Sequence, residues 1–267
     1  MKNNFLLLAI ILSVTLLFSC QKKEEPQIAH DNDYIENIYE PATTVSNIRK
    51  AGFVLPVTSS LYVIDGEDDG TEATKARWGA NMTLGENILI GEPRRLTWTD
   101  GRILNFIEIR RETGAEGFAL TSQVVEGGRL AVVIDERASL YTSPRTVDVS
   151  STIMSRMSVV VYYPESESNG YVEIRGWDHI RERYVDPSTS FVRLNTLSTG
   201  NSDIQSCILL HTALSLTAAN QAVRRETLLE SAILDYPDSV FNFEIYLIAY
   251  PPNPVNQNNE EDYIYND

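Results

Sequence analysis

The sequence predicts a mainly β protein in which two small β-barrels follow one another and a short α-helical region comes last. Three observations lead to this prediction. From about residue 53 to residue 198, short runs of branched and aromatic residues alternate with turn residues. A Leu-Tyr pair and a Glu-Ile-Arg triplet each occur twice in that region. After residue 200 the apolar spacing changes to the period of a helix.

The repeated residues indicate an internal duplication of one small β module. The Leu-Tyr pairs at Leu61-Tyr62 and Leu140-Tyr141 lie 79 residues apart, and the triplets beginning at Glu108 and Glu173 lie 65 apart. The first module therefore holds 14 more residues between its two motifs. We place this extra length in a loop around residues 73–85. The alternative is one larger β-sandwich with a chance similarity.

The first twenty residues predict export and attachment to a membrane. Phe5 to Phe18 is a nearly unbroken apolar run of the length typical of a signal peptide, and too short for a membrane-spanning helix. The ending Leu17-Phe18-Ser19-Cys20 resembles the lipobox of bacterial lipoproteins. The resemblance implies a lipid on Cys20 and a place in the bacterial cell envelope, periplasmic or surface-facing. Phe18 departs from the pattern, and the alternatives are an ordinary signal peptide cut elsewhere or a retained anchor.

Charge and composition exclude several classes of function. The formal net charge of −15 repels phosphate backbones, so nucleic acid is not an expected partner. With Cys20 lipidated, Cys207 stands alone and no intramolecular disulfide forms. Three scattered histidines and the absence of a glycine-rich phosphate loop or a zinc signature predict neither a metal site nor a cofactor.

The repeated modules resemble tandem bacterial SH3-type domains. Leu140-Tyr141-Thr142-Ser143-Pro144 is similar to the opening strand of that family, although its glycine is missing, and Val159-Val160-Val161 is similar to a middle strand. Gly170 to Ile174 stands where the family has an aromatic strand. The closing element is matched by Gly117-Phe118-Ala119 in the first module and by Tyr184-Val185, without the glycine, in the second. The resemblance covers about residues 53–194.

The family resemblance implies a ligand class and a set of aromatic contacts. Members bind peptide or peptidoglycan fragments, often beside a catalytic domain, and exposed aromatic residues line the groove. The alternative is that these aromatic side chains are barrel core, which is the commoner position for an aromatic residue in a small β module. The candidate ligand-binding residues are Tyr62, Tyr141, Tyr171, Trp177 and Tyr184.

The last part of the chain predicts three helices that form a cap on the second barrel. Asp203 is expected to cap a helix from Ile204 to about Ala218, and a second helix is expected over Ala222–Leu234. Asp238 is expected to cap a third that runs through Leu247 and ends before Pro251-Pro252. The six predicted segments are the lipoprotein signal peptide (1–19), a tether with a short helix (20–52), module one (53–127), module two (128–198), the helical cap (199–252) and a disordered acidic tail (253–267).

Two arrangements of reactive residues were considered as catalytic sites, and both are weak. Cys207 and His211 share a helix face, but the apolar residues after Cys207 predict a buried pair rather than an activated nucleophile. Glu108 and Glu173 lie on strand faces opposite to their branched neighbours, which predicts solvent exposure rather than a glycosidase pair. The sequence therefore predicts a non-catalytic, lipid-anchored binding protein for peptide or peptidoglycan-type ligands. The alternatives are an assembly or adhesion lipoprotein that acts through its helical end, and a cell-wall hydrolase.

Overall fold

The computed structural model describes residues 50–179, 181, 183–185 and 190–251. The predicted signal peptide, the lipidation site Cys20, nearly all of the tether and the acidic tail lie outside these residues. The described part is mainly β, with two sheets that each curl into a barrel and a helical region after them. The predicted fold class is therefore confirmed. Among the described residues, no helix is both long enough and apolar enough to cross a bilayer.

The first barrel is a seven-stranded sheet in the order β3-β2-β6-β5-β4-β1-β7, closed by a further parallel pairing of β3 with β4. Strand β1 already begins at Lys50, three residues before the module was expected to start. A 3-10 turn at Thr121–Gln123 leads into the last strand. The strands are β1 (Lys50–Val54), β2 (Ser59–Asp65), β3 (Lys75–Met82), β4 (Asn87–Trp98), β5 (Ile103–Arg111), β6 (Glu116–Leu120) and β7 (Val124–Glu126).

The second barrel has the main strand order β10-β9-β14-β12-β11-β8-β15, and β13 pairs with β12 off this path. A 3-10 turn at Leu194–Thr196 again comes directly before the last strand. The strands are β8 (Arg129–Val133), β9 (Arg137–Tyr141), β10 (Val149–Ser155), β11 (Val159–Ser168), β12 (Tyr171–Asp178), β13 (Arg183–Tyr184), β14 (Phe191–Arg193) and β15 (Leu197–Ser198).

The two barrels share one pattern of strand pairing. In each, the first strand pairs with the fourth and the last, and the second strand pairs with the third and the sixth. Tyr62 lies opposite Phe118 in the first barrel, and Tyr141 lies opposite Phe191 in the second. The repeated Leu-Tyr pairs and Glu-Ile-Arg triplets thus occupy equivalent strands. One continuous β-sandwich is not what the chain forms.

The 14 extra residues of the first barrel are not concentrated in the loop where they were predicted, because residues 75–82 form strand β3. Ile90 faces Ile109 in the first barrel, as Tyr162 faces Ile174 in the second. The chain takes 29 residues from Leu61 to Ile90 against 22 over the equivalent stretch, and 19 from Ile90 to Ile109 against 12. Half of the extra length therefore lies before Ile90, and half extends the β4–β5 hairpin.

Each barrel has its own buried interior, because alternate residues of its strands point inward. Leu61 and Ile109 belong to one first-barrel cluster, and Phe106 and Phe118 belong to a second, smaller one. The equivalent interior of the second barrel is a single cluster that contains Leu140 and Ile174. Since no disulfide is present among the described residues, apolar burial supplies most of the stabilisation of both barrels.

The helical region consists of α1 (Asn201–Ser215), α2 (Ala222–Leu234) and α3 (Asn242–Ala249). Its core joins Cys207 and Ile208 of α1 to Val132 and Val159 of the second barrel. Leu84 of the first barrel belongs to the same cluster, so the helices pack on both barrels rather than only on the second as predicted.

The predicted helix caps are wrong in two of three helices. Gly200 precedes α1, and Asp203 lies buried in its first turn, where its carboxylate accepts hydrogen bonds from the Ser198 hydroxyl and from the Val240 backbone N–H (2.8 Å). Asp203 therefore joins the end of the second barrel to the start of the last helix. The third helix begins at Asn242 and not after Asp238. The bounds of α2 agree with the prediction.

Candidate functional site

The five predicted aromatic residues fall into three separate places. Tyr62 is half-buried in the first barrel, where its ring lies 5.1 Å from that of Trp98 and 5.2 Å from that of Phe106. Tyr141 and Tyr171 are both buried in the second barrel, with ring centroids 4.9 Å apart in a T-shaped contact. Trp177 and Tyr184 form a third T-shaped pair at 4.7 Å. No single groove contains all five.

Tyr171 lines the most open pocket of the second barrel, which we call the Arg193 pocket. Its volume is about 660 Å³. The exposed guanidinium of Arg193 lies 5.9 Å from the centre of the Tyr171 ring, in the range of a cation–π contact. Among the described residues, no carboxylate forms an ion pair with Arg193. The pocket is lined by Thr146, Asn169, Gly170, Tyr171, Arg193, Leu194 and Asn195.

The strand register explains how this pocket forms. Strands β11 and β12 are joined by Asn169 and Gly170, both at positive φ (55° and 77°), so the hairpin ends in a tight two-residue turn. Ser168 lies opposite Tyr171 at this turn. Because the hairpin stops here, the edge of the Tyr171 ring and the Arg193 side chain stay uncovered. The turn was predicted from its Asn-Gly sequence, whereas the role of Arg193 was not, because Arg193 lies 23 residues further along the chain.

The equivalent surface of the first barrel is filled in a different way. Phe106 replaces Tyr171, and its strand partner is Arg94. The Arg94 guanidinium donates two hydrogen bonds to the carboxylate of Asp68 (2.7 and 2.8 Å) and lies 5.5 Å from the centre of the Phe118 ring. The hydrogen bonds from Arg94 lower the pKa of Asp68 to about 2. A pocket of about 500 Å³ remains beside Phe106, but this arginine is already paired.

The closing element of the second barrel was assigned to the wrong residues. Tyr184 lies on β13, which pairs only with the outer part of β12 at Trp177. Phe191 on β14 lies opposite both Tyr141 and Glu173, as Phe118 lies opposite Tyr62 and Glu108 in the first barrel. The motif comparison failed here because the β12–β13 excursion, which the first barrel lacks, separates the triplet from the closing strand.

Trp177 instead lines a second pocket, which we call the histidine pocket, where both barrels meet α1. Its volume is about 430 Å³. The rings of His179 and His211 are stacked inside it with centroids 4.1 Å apart and planes inclined by 22°. The sequence did not predict this pair because the two histidines come from different elements. The lining residues are Pro56, Val57, Thr58, Trp177, His179, His211, Leu214, Ser215 and Thr217.

The two histidines have different partners. Nε2 of His211 lies 2.8 Å from the Met157 carbonyl oxygen, and since a carbonyl can only accept, the imidazole donates from this nitrogen. Both ring nitrogens of His179 are buried without a hydrogen-bond partner. Burial, and then the neighbouring His211, lower the pKa of His179 to about 2, and burial also lowers the pKa of His211. Both imidazoles are therefore neutral at physiological pH.

Cys207 lies one helical turn before His211, but it is completely buried in the helical core. Burial raises the pKa of its thiol, so that the reactive thiolate is disfavoured. His211 already uses Nε2 for the Met157 carbonyl. This geometry matches the buried pair expected from the sequence and does not resemble an activated cysteine–histidine pair.

Glu108 and Glu173 are half-buried rather than fully exposed, and each lies on a different barrel. Burial raises the pKa of Glu108, whereas Glu173 accepts a hydrogen bond from the Arg175 guanidinium at 2.8 Å. Their equivalent positions reflect the duplication and not a shared cleft. Among the described residues, no group of three or more side chains is arranged to hold a metal ion.

Comparison with known proteins adds little to this description. No protein-family model matches the chain, and no curated protein matches it. A solved structure titled "Structure of NlpC2 from Trichomonas vaginalis" matches at 11% identity and a TM-score of 0.19. The match covers 71% of this chain and 57% of that one, so this chain spans less than two thirds of its length. At this TM-score the likeness carries no argument about fold or activity.

Proposed function

We propose that the protein is a non-catalytic binding protein of the bacterial cell envelope, held at a membrane by a lipid on Cys20. Its ligand is a peptide or a peptidoglycan-type fragment, and it binds in the Arg193 pocket. The observation that carries the proposal is the exposed Arg193 guanidinium beside the Tyr171 ring, in an open pocket at the end of a hairpin. An unpaired guanidinium recognises a carboxylate, and the ring edge and Leu194 offer apolar contact.

The chemistry of the pocket favours an acidic peptide over a neutral sugar chain. Asn169, Asn195 and Thr146 supply amide and hydroxyl groups around the single cation. Peptide stems of the cell wall carry free carboxylates, which fit one guanidinium with polar neighbours. The first barrel offers no equivalent cation, because Arg94 is held by Asp68. We therefore assign ligand binding to the second barrel.

The binding test is retention of the purified protein on insoluble peptidoglycan. We expect Arg193→Gln to reduce retention by roughly tenfold, since a charge-assisted contact of about 1.5 kcal/mol is lost. Arg129→Gln is the matched control, because it removes the same charge from an exposed position on the same barrel. Equal retention of both variants, or no retention of the unmodified protein above a charge-matched protein, would overturn the proposal.

The absence of catalysis is tested at the one described thiol. Because Cys207 is buried and its pKa is raised, we expect no reaction with a thiol reagent in the native protein and full reaction after unfolding. Turnover of muropeptides by the native protein that disappears in Cys207→Ala would establish the hydrolase instead.

Lipid attachment is tested separately on the full chain. Metabolic labelling with a fatty acid should label the protein, and Cys20→Ser should abolish the label. A protein that is labelled equally after this substitution, or not at all, would remove the membrane anchor from the proposal while leaving the binding test intact.

A further inference from the structure

The last helix presents an apolar face to solvent. Phe243, Tyr246, Leu247 and Tyr250 follow one another at i, i+3, i+4 and i+7, so their side chains lie along one side of α3 and its C-terminal cap; we call them the C-terminal stripe. Phe243 is 70% exposed and none of the four is less than 40% exposed. The rings of Tyr246 and Tyr250 are 5.1 Å apart, which confirms that these two side chains are neighbours.

The stripe is not needed to pack the helix on its own chain. The buried contact of α3 is made by Ile245, which is fully buried, and by Ala249, which packs against the helical core. A helix that is apolar on both sides is normally covered on both sides. Single exposed apolar residues are common on protein surfaces, but four large ones in a continuous row indicate a binding surface.

Acidic side chains surround the stripe. The Tyr250 hydroxyl donates a hydrogen bond to Oε1 of Glu230 at 3.4 Å, and partial burial together with Glu230 and Glu226 raises the pKa of Tyr250. Two more exposed carboxylates, Asp235 and Asp238, lie in the connection that leads into α3. Between residues 199 and 251 the only lysines or arginines are Arg224 and Arg225, in the first turn of α2.

We propose that the C-terminal stripe binds an amphipathic helix of another protein, with an apolar face flanked by lysine or arginine. An apolar row with acidic borders is complementary to such a helix in both shape and charge. A second copy of this chain would bring Glu226 and Glu230 towards carboxylates of its own kind. An anionic membrane would meet the same repulsion, and the stripe has no lysine at its borders to favour lipid head groups. The proposal does not depend on the Arg193 pocket.

The test uses three fluorescent synthetic peptides of about five helical turns and the purified protein. The first peptide has leucines at i, i+3, i+4 and i+7 with lysine on both sides, the second has glutamate in place of lysine, and the third keeps the lysines but scrambles the leucines. Fluorescence anisotropy should show the first binding at least roughly tenfold more tightly than either of the others. Equal binding of the scrambled peptide would reduce the effect to net charge and overturn the proposal.

Two exposed sets of apolar residues provide the protein variants. Phe243→Ser with Leu247→Ser removes the middle of the stripe without touching Ile245, and should abolish binding of the first peptide. Val147→Ser with Val149→Ser removes two exposed apolar residues from the second barrel and should change nothing. Circular dichroism should show equal helix content for all variants. Unchanged binding by the stripe variant would overturn the proposal.

Three further results would assign the surface to another occupant. A dimer seen by sedimentation and lost in the stripe variant would indicate a second copy of the chain. Flotation with phosphatidylcholine vesicles that needs the stripe would indicate a lipid surface. Peptide binding that appears only after removal of residues 252–267 would indicate the end of the chain itself. Each of them would replace the proposed partner, and none would affect peptidoglycan retention through Arg193.

Discussion

The two barrels have one pairing pattern but use the same position differently. At the end of the fifth strand the first barrel has Phe106, opposite Arg94 in an ion pair with Asp68, and the second has Tyr171 beside the exposed Arg193. The difference follows from hairpin length, because the longer β4–β5 hairpin continues past Phe106 and lays Trp98 against Tyr62. A duplicated module can thus keep one copy as a stable structural unit and leave the other open to a ligand.

The largest expected effect comes from the aromatic position itself. Phe106 is completely buried, so Phe106→Ala should lower the free energy of unfolding by about 3–5 kcal/mol. Tyr171→Phe, at the equivalent place, keeps the ring and should cost no more than about 1 kcal/mol. Urea unfolding of both variants measures the contrast. A loss below about 1.5 kcal/mol for Phe106→Ala would show that the first barrel is not the structural copy.

The second prediction concerns the histidine pocket, where the barrels are joined. Since burial lowers the pKa of both imidazoles below the unfolded value of 6.5, the unfolded chain binds more protons in acid. Stability contributed by the neutral pair is present above pH 6.5 and is lost as the pH falls. We expect a loss of about 2 kcal/mol between about pH 6.5 and 5.5. His179→Phe should halve this loss.

The matched control for this prediction is His30→Phe, which changes a histidine in the predicted tether. Free energies of unfolding at several pH values should show the full acid dependence in this control. If His179→Phe and the unmodified protein have the same dependence, the stacked pair does not determine acid stability.

The third prediction tests why the first barrel is closed. Hydrogen bonds from Arg94 lower the pKa of Asp68, so the pair stabilises the fold above the unfolded value of 3.8 and weakens as the pH falls towards 2. After allowance for solvent screening, Asp68→Asn should cost roughly 1 kcal/mol at neutral pH and nothing near pH 2. It should also release Arg94. Increased peptidoglycan retention would show that the pairing hides a second binding position, whereas equal destabilisation at both pH values would contradict the ion-pair account.

The smallest effect is expected at the turn that opens the Arg193 pocket. Asn169 has φ 55°, a conformation that costs most residues about 1 kcal/mol, whereas glycine and asparagine tolerate it. Asn169→Ala should therefore lower the free energy of unfolding by about 1 kcal/mol and Asn169→Gly by less than half of that. Thermal unfolding of the two variants distinguishes them. Equal losses would mean that the asparagine side chain, and not the turn geometry, is what matters.

Local patterns in the sequence were sufficient to predict the fold, and non-local contacts decided the rest. The Leu-Tyr and Glu-Ile-Arg repeats located equivalent strands because each motif lies within one strand. Arg193 and the His179–His211 stack could not be predicted, since each depends on elements brought together only by barrel closure or helix docking. The cap of α1 was misassigned to Asp203, because a carboxylate near a helix start can equally well be held by a distant backbone N–H, here that of Val240.

The way each barrel is closed has a consequence for how the chain folds. The first strand of each barrel pairs with its last, as Gly52 does with Glu126 and Val133 with Leu197, so closure must wait until more than sixty intervening residues are available. Contacts between such distant residues make folding slow. Chains shortened from the C-terminus should therefore regain resistance to protease in two abrupt steps, one after residue 126 and one after residue 198, and not in proportion to their length.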